Sequence, residues 1–327
     1  MSVKLPRRRF LSLTAAAAAS PTLSRIAPAQ AYPTRPVRIL VGFTAGSGPD
    51  IVARLIGQWL SERLGQQFLI ENRPGGASNI ATEAAVRATP DGYTLLLATS
   101  GNAVNAALYE KLSFNFIRDI APVAAITRTP QVMEVHPSFP ARTVPEFIAY
   151  AKANPGKVTL ASAGNGSPGH LAGELMRMMV GIDLIHVPYR GASQAITDLI
   201  GGQVQVAIVT LAASMEQIRA GKLRPIAMTT DMRLDLLPDL PTVSEFVPGY
   251  EASGWLGIGA PSATPRDVID RLNREINAGL ADPGLKARLA DLGLTPIIGS
   301  PADFGRLVAE ETEKWGKVVR FAGIKPE

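Results

Sequence analysis

A glycine-rich loop, Gly164-Asn-Gly-Ser-Pro-Gly169, carries the clearest chemical signal in this sequence. It lies between a predicted strand and a predicted helix. Gly164 and Gly166 let backbone N–H groups turn toward one point, and Ser167 is placed to cap a helix whose N-terminus favours negative charge. The loop therefore predicts a site for an anion. A tight strand-to-helix turn that binds nothing is the alternative interpretation.

The same six residues match the Gly-x-Gly-x-x-Gly fingerprint of dinucleotide-binding folds, and Asp183 follows Gly164 by nineteen residues. Two features argue against a nicotinamide or flavin site. The unit lies in the middle of the chain, and Pro168 occupies an early helix position where the fingerprint needs a close approach of helix and strand. The export signal described below adds a third, because soluble nicotinamide cofactors circulate inside the cell. We expect no cofactor.

Two more loops have the same chemical character. The sequence Thr44-Ala-Gly-Ser-Gly-Pro-Asp50 follows the first predicted strand, and Thr99-Ser-Gly-Asn102 follows the third. Open α/β folds bind ligands beyond the carboxyl ends of their strands, so we expect the loops to form two jaws of a cleft. None of them contains Lys or Arg. Neutral donors of this kind can hold a carboxylate reversibly, at roughly 1.5–3 kcal/mol per charge-assisted hydrogen bond.

Catalysis and metal binding find little support in the sequence. There is no cysteine, and the three histidines (His136, His170 and His186) lack the spacing of a metal site. Ser167 and His170 are close in sequence, but Asn165 stands where a nucleophile elbow needs glycine, and no acid is evident to orient the histidine. We therefore predict no catalytic residue and no metal site.

The first 31 residues have the pattern of an export signal. Arg7-Arg8-Arg9 precedes a short apolar run, and Ala29-Gln30-Ala31 has the small-x-small form that a signal peptidase needs. We expect cleavage after Ala31 and a periplasmic location. The segment holds five of the 33 basic residues and no acid, so the remaining chain balances 28 basic against 28 acidic residues. The net charge of +5 is therefore no evidence for nucleic-acid or membrane binding.

Short apolar runs alternate with amphipathic stretches along the rest of the chain, which is typical of βα units. Strands are predicted at 37–43, 68–70, 94–99, 158–162, 184–187 and 204–209, with extended runs at 121–136 and 254–260. Helices are predicted at 50–64, 77–88, from about 103, and at 145–153, 168–179, 193–200, 212–220, 265–280, 285–292 and 302–322. The fold class is α/β, with two lobes, each a mostly parallel sheet flanked by helices, and a ligand cleft between them. Residues 32–129 and 250–327 are assigned to lobe 1 and residues 130–249 to lobe 2.

Several motifs make the chain similar to a known family. They include Tyr-Pro-Thr-Arg-Pro-Val-Arg at 32–38, Glu-Asn-Arg-Pro-Gly-Gly at 71–76, Pro-Asp-Gly-Tyr-Thr-Leu-Leu at 90–96 and His-Val-Pro-Tyr-Arg-Gly at 186–191. On these motifs the chain resembles the Bug-type receptors, the extracytoplasmic solute-binding subunits of tripartite tricarboxylate transporters. The resemblance implies two α/β lobes that close on a small carboxylate, and a large and a small integral membrane subunit as partners.

Two departures from the family pattern bear on the ligand. Thr44 and Ala45 replace two prolines of the first loop, and Ser47 replaces a glycine. Many relatives carry an acid near the end of the strand at 204–209, whereas this chain reads Ala207-Ile-Val-Thr210. A ligand amino group would lack its countercharge there, so we expect carboxylates with apolar or hydroxylated tails.

The loops and the resemblance together define the expected site and function. We expect a monomeric receptor that delivers a small carboxylate to a membrane transporter; the alternatives are an exported enzyme and a sensory binding protein. The predicted ligand-binding residues are Phe43, Thr44, Ala45, Gly46, Ser47, Gly48, Asp50, Thr99, Ser100, Asn102, Ser162, Gly164, Asn165, Gly166, Ser167, His170, Tyr189 and Thr210.

Overall fold

The computed structural model describes residues 32–109 and 111–325. The export signal and its cleavage after Ala31 lie outside the described residues. The strands are β1 (Val37–Val41), β2 (Phe68–Asn72), β3 (Thr94–Thr99), β4 (Ile120–Thr129), β5 (Gln131–Val135), β6 (Thr159–Ser162), β7 (Ile185–Pro188), β8 (Val206–Thr210), β9 (Arg224–Met228), β10 (Gly254–Pro261) and β11 (Thr295–Pro296). The helices are α1 (Gly48–Leu64), α2 (Asn79–Val86), α3 (Ser100–Leu108), α4 (Phe116–Asp119), α5 (Val144–Ala153), α6 (Pro168–Val180), α7 (Ala192–Ile200), α8 (Leu211–Arg219), α9 (Arg266–Ala281), α10 (Pro283–Asp291) and α11 (Pro301–Ala322).

The strands form two sheets flanked by helices, which confirms the two-lobed α/β fold. One sheet has the order β11-β4-β10-β3-β1-β2, and the other has the order β7-β6-β8-β5-β9. The division of the chain into 32–129 with 250–327 and 130–249 stays a prediction. Helix α11 contributes to both lobes, because Phe304 packs with the first sheet while Trp315 and Val319 pack in the core of the second.

Both sheets are mixed, which corrects the expectation of mostly parallel sheets. Strand β1 is parallel to β2 and β3, and β6 is parallel to β7 and β8. Strand β10 is antiparallel to β3 and β4, and β5 is antiparallel to β8 and β9. Strands β5 and β10 are those by which the chain enters a lobe from the cleft. Such a strand has to run away from the cleft, whereas the βα strands run toward it.

The chain crosses between the lobes through two strand passages that lie side by side. The first runs from β4 into β5 through Pro130, and the second leads from β9 to β10. Thr229 donates its N–H to the carbonyl of Gln131 at 3.0 Å, and Ala252 donates to the carbonyl of Thr229 at 2.9 Å. These bonds fix the crossing segments against each other.

Local sequence signals explain where the site helices begin and end. The Ser167 hydroxyl accepts a hydrogen bond from the backbone N–H of His170 at the start of α6, and Gly181 ends that helix in the left-handed conformation. Helix α3 begins at Ser100, earlier than predicted, because Thr99 and Asn102 form a capping box. Helix α2 begins at Asn79 and not at 77, because Ala77 and Ser78 adopt positive φ angles in a tight turn.

Strand β9, which contains Pro225, is not among the predicted strands. It lies at the edge of its sheet and pairs with β5, and on its outer side Met228 donates its N–H to the carbonyl of Pro241 at 2.9 Å. Proline has no N–H to give to a sheet, and an edge strand is where a sheet tolerates it. No helix in the described part of the chain, residues 32–109 and 111–325, combines the length and apolar character needed to cross a bilayer.

We predict that Gly169→Ala displaces the N-terminus of α6 and destabilises the protein. A Cβ atom at Gly169 would lie 1.9 Å from the backbone oxygen of Ile208 in β8. Because a backbone atom cannot yield as a side chain can, we expect the free energy of unfolding to fall by about 1–3 kcal/mol in urea titrations. Gly191→Ala is the control, since a Cβ there meets nothing within 4 Å. Equal stability of the two variants would contradict this packing.

Candidate functional site

A cavity of about 860 Å³ lies between the two sheets. Helices α1, α3, α6 and α8 all begin at its wall, the first two from one lobe and the others from the second. The first N–H groups of a helix have no partner within that helix, and the helix dipole adds partial positive charge there. The cavity therefore gathers four N-termini that favour an anion.

Seven predicted ligand-binding residues line this cavity, and they come from both lobes. The first lobe contributes four of them and the second lobe three. They are Phe43, Gly48, Thr99, Ser100, Asn165, Gly166 and Thr210. The structure thus brings together parts of all three sequence loops and the end of β8.

The loop before α3 presents its backbone and one hydroxyl to the cavity. Thr99 donates its N–H to Oδ1 of Asn102 at 2.8 Å, and Nδ2 of Asn102 donates to the Thr82 hydroxyl at 2.8 Å. Asn102 is 2% exposed and lies behind the wall. It holds the turn in place, while Ser100 and Gly101 face the cavity.

Asp50 also supports the site from behind and does not line it. This carboxylate is 1% exposed and accepts hydrogen bonds from the N–H of Gly46 (2.8 Å), from Arg54 (2.9 and 3.0 Å) and from Asn72 (2.8 Å). Burial alone would raise the pKa of Asp50. The bonds from Arg54, Gly46 and Asn72 outweigh burial and hold the pKa below its ordinary value. The charge of Asp50 therefore holds the loop before α1 in place.

The Gly164–Gly166 turn is held by side chains on its inner side. The Ser162 hydroxyl, which is fully buried, donates to the carbonyl of Gly164 at 3.1 Å and lies 2.7 Å from Nε2 of His186. Gly166 donates its N–H to Nδ1 of His170 at 3.0 Å. Ser162, Gly164 and His170 therefore shape the turn and do not line the cavity. The Ser162–His186 contact gives no exposed nucleophile, because the hydroxyl is out of reach of solvent.

The remaining predicted residues also lie outside the cavity wall. Thr44, Ala45 and Gly46 are exposed at the tip of the first loop. The Ser47 hydroxyl is buried without a partner among the described residues. Ser167 caps α6, and the Tyr189 hydroxyl donates to Asp198 at 2.7 Å. Burial and the bond to Asp198 raise the pKa of Tyr189 to about 12, so it stays protonated.

Most residues of the apolar wall are not among the predicted ligand-binding residues. Gly101, Val104, Asn105 and Leu108 form one face of α3 at the spacing of successive helical turns, and this pattern could have been found once α3 was assigned from Ser100. Other wall residues come from distant parts of the chain and gave no local signal. They are Gln131, Leu171, Ser253, Leu256, Leu292, Leu294, Trp315 and Lys325, among others.

The cavity is electrically neutral apart from one cation. Among the described residues that line it, Lys325 alone carries a formal charge. Hydroxyl, amide and backbone N–H groups cluster near the helix N-termini, while Val104, Leu108 and Leu171 form part of an apolar surface. This arrangement suits a ligand with an anionic end and an apolar body.

A family model described as the tripartite tricarboxylate transporter family receptor matches residues 52–324 of this chain. The chain belongs to this receptor family. It is 35% identical to protein BugT of Bordetella pertussis over 300 residues, which cover 91% of this chain and 92% of that protein. This protein is therefore a Bug-type solute-binding receptor.

Solved structures of similar proteins agree with the family. The structure of R. palustris Rpa4515 with adipate has 38% sequence identity and a TM-score of 0.75, and it covers 90% of this chain and 100% of that chain. MatC (Rpa3494) from Rhodopseudomonas palustris with bound malate has 30% identity and a TM-score of 0.71, covering 88% of this chain and 100% of that chain. The two-lobed fold of this receptor is thus the fold of its relatives.

We predict that Asp50→Asn lowers the free energy of unfolding of this receptor at pH 7 by about 1–3 kcal/mol, because the substitution leaves Arg54 beside a neutral amide. The pKa of Asp50 is lowered by folding, so its contribution is complete above the unfolded value of about 3.9 and is lost as the pH falls through the folded value. The difference between wild type and variant should therefore shrink below about pH 4.

Urea titrations at pH 7, 5 and 3 measure this difference. The control is Glu62→Gln on the same helix, whose exposed carboxylate accepts a bond from Gln58. We expect the control to stay within about 0.5 kcal/mol of wild type. A loss in Asp50→Asn that is constant with pH would contradict the role given to its charge.

Proposed function

We propose that this receptor captures a small carboxylate in the periplasm and delivers it to the integral membrane subunits of a tripartite tricarboxylate transporter. The gathering of four helix N-termini around one cavity, whose described lining includes one cation and no acid, is the observation that carries the proposal. The chain would act as a monomer. Its first 31 residues would direct export, with cleavage after Ala31. Relatives of known structure hold adipate and malate, which are both small carboxylates.

The carboxylate of the ligand would bind where the two lobes present their donors. Thr99, Ser100 and Gly101 at the start of α3 face the cavity from one lobe, and Gly166 and Thr210 face it from the other. A ligand that bridges the lobes makes its full set of hydrogen bonds only when both lobes are close to it. Binding would therefore favour the closed arrangement.

The cavity wall also supports the choice of ligand. None of the described lining residues is acidic, so a ligand ammonium group would be buried without a countercharge. Strand β8 ends in Thr210, which lines the cavity, and Ala207 to Val209 supply no acid. The apolar face of α3 favours a tail that is apolar or carries hydroxyl groups. The described lining residues include hydroxyl, amide and backbone groups that can bind a ligand, which supports a receptor that returns its ligand unaltered.

We predict that Ser100→Asp weakens carboxylate binding at least about tenfold, while Ser100→Asn largely retains it. The two substitutions have the same shape and differ in charge. An aspartate in the first turn of α3 suits the helix dipole, so the fold should persist. It places a negative charge beside the bound carboxylate, at a cost of about 1–4 kcal/mol for charges 4 Å apart near a protein surface.

Calorimetric titration with adipate and with malate measures both variants. We expect affinity at least about tenfold weaker for Ser100→Asp than for Ser100→Asn, with the difference reduced at high salt. The pair Thr210→Asp and Thr210→Asn repeats the test from the other lobe. Unchanged affinity in both aspartate variants would place the carboxylate elsewhere.

A further prediction concerns transport. A strain that lacks this receptor should lose uptake of its carboxylate, and wild-type protein supplied in trans should restore uptake while the Ser100→Asp protein should not. Radiolabelled uptake measures this, with the ligand identified first by native mass spectrometry of the protein purified from its host. Normal uptake in the deletion strain, with binding intact in the purified protein, would contradict the transport role and favour a sensory one.

A further inference from the structure

Two histidines from different elements stack on each other behind the glycine turn. The rings of His170 in α6 and His186 in β7 lie 3.6 Å apart between centroids and 4° from parallel. His170 is 5% exposed, and His186 is half-buried. Neither ring lines the cavity. Each ring bonds to a different part of the Gly164–Gly166 turn, and Gly166 of that turn does line the cavity.

The hydrogen bonds define which nitrogen of His170 carries the proton. The N–H of Gly166 donates to Nδ1 at 3.0 Å, so Nδ1 must be the unprotonated nitrogen of a neutral ring. The proton then lies on Nε2, which faces Oε1 of Glu174 at 3.7 Å. Glu174 is itself held by two bonds from Arg177, at 2.9 and 2.7 Å.

His186 fixes the other end of the turn. The Ser162 hydroxyl lies 2.7 Å from Nε2 of His186 and 3.1 Å from the carbonyl of Gly164, so it links the ring to the turn. The N–H of Gly164 also donates to the Ser162 oxygen at 3.2 Å. Burial, together with the neighbouring His170, lowers the pKa of His186 to about 4, so its ring is neutral at pH 7.

We propose that the stacked pair positions the Gly164–Gly166 turn for ligand binding, with a neutral His170 accepting the Gly166 N–H. The inference rests on the proposed function, since it concerns the same cavity. A proton on Nδ1 would set a donor against the Gly166 donor at 3.0 Å. The bond would be lost, Gly166 would move from its place in the wall, and affinity would fall in acid.

The titratable groups that face His170 come from its own helix and from β7. Glu174 on the same helix lies 3.7 Å from Nε2 of the ring, and His186 of β7 stacks on the ring. Arg177 pairs with Glu174 and lies 3.5 Å from Asp183. Strands β6 and β8 carry no titratable side chain, and on α11 Glu311 and Lys314 pair with each other.

Asparagine and glutamine at position 170 differ in whether they can accept the Gly166 N–H. The amide oxygen of Asn occupies about the place of Nδ1 and can accept the Gly166 N–H, but it does not titrate. Gln extends its amide to about the place of Nε2 and leaves Gly166 without its acceptor. We therefore expect His170→Asn to bind adipate about tenfold more tightly than His170→Gln at pH 7.5.

The pH profile distinguishes positioning from simple packing. Wild-type affinity for adipate should fall by about tenfold or more between pH 7.5 and pH 5, while that of His170→Asn should stay level. The matching pair at the second ring is His186→Gln, whose amide reaches about the place of Nε2 and can bond to Ser162, and His186→Asn, whose shorter amide cannot. Equal affinities within each pair, or equal pH profiles of wild type and His170→Asn, would overturn the proposal.

A measurement without ligand keeps this test separate from that of the proposed function. Long-range ¹H–¹⁵N spectra of the wild-type protein at pH 7.5 should show His170 with Nδ1 unprotonated and Nε2 protonated. Exchange of the Gly166 amide should be about tenfold faster in His170→Gln than in wild type. A proton on Nδ1 would overturn the proposal even in a protein that binds adipate. The expected tautomer in a protein that binds neither adipate nor malate would contradict the proposed function instead.

Discussion

The direction of the strands at the cleft is the constraint on which the rest of this receptor depends. Strands β1, β3, β6 and β8 all run toward the cleft, so the helices or loops that follow them begin there. The chain can change lobes at that edge, and it must then run away from the cleft as β5 or β10. Mixed sheets and converging helix N-termini are thus two results of one topology.

This topology lets the site hold an anion with neutral groups at its surface. The charges stand one layer behind the wall, where Asp50 is paired with Arg54 and Glu174 with Arg177. Asp50 accepts the N–H of Gly46 and so fixes the loop before α1, while Glu174 lies beside the His170 ring that accepts the N–H of Gly166. Lys325 is the one charged residue among the described lining residues, so dipoles and hydroxyls supply most of the groups that meet an anion, which suits reversible binding by a carrier.

The sequence predicts the parts of this arrangement that depend on local pattern. Glycine, serine and proline at 164–169 predict a capped helix after a turn, and Ser167 is that cap. The same pattern does not separate wall residues from those behind them, because Asp50 and Asn102 are short polar residues like Ser100. Their bonds to Asn72 and Thr82 come from other strands and helices. The apolar wall was missed for the same reason, since Leu292 and Trp315 reach the cavity through packing and carry no local signal.

One partly buried carboxylate, that of Glu251, joins the crossing segments to helix α11. Glu251 lies on the return passage and accepts bonds from Arg128 in β4 at 3.0 Å and from Lys314 in α11 at 2.9 Å. Burial would raise the pKa of Glu251, but the charges of Lys314 and Arg128 hold it below its ordinary value, so the group stays ionised. Because Arg128 and Lys314 lie on different elements, the charge of Glu251 holds β4, the return passage and α11 together. This junction lies beside the cavity, because the neighbouring residues Ser253 and Gly254 form part of its wall.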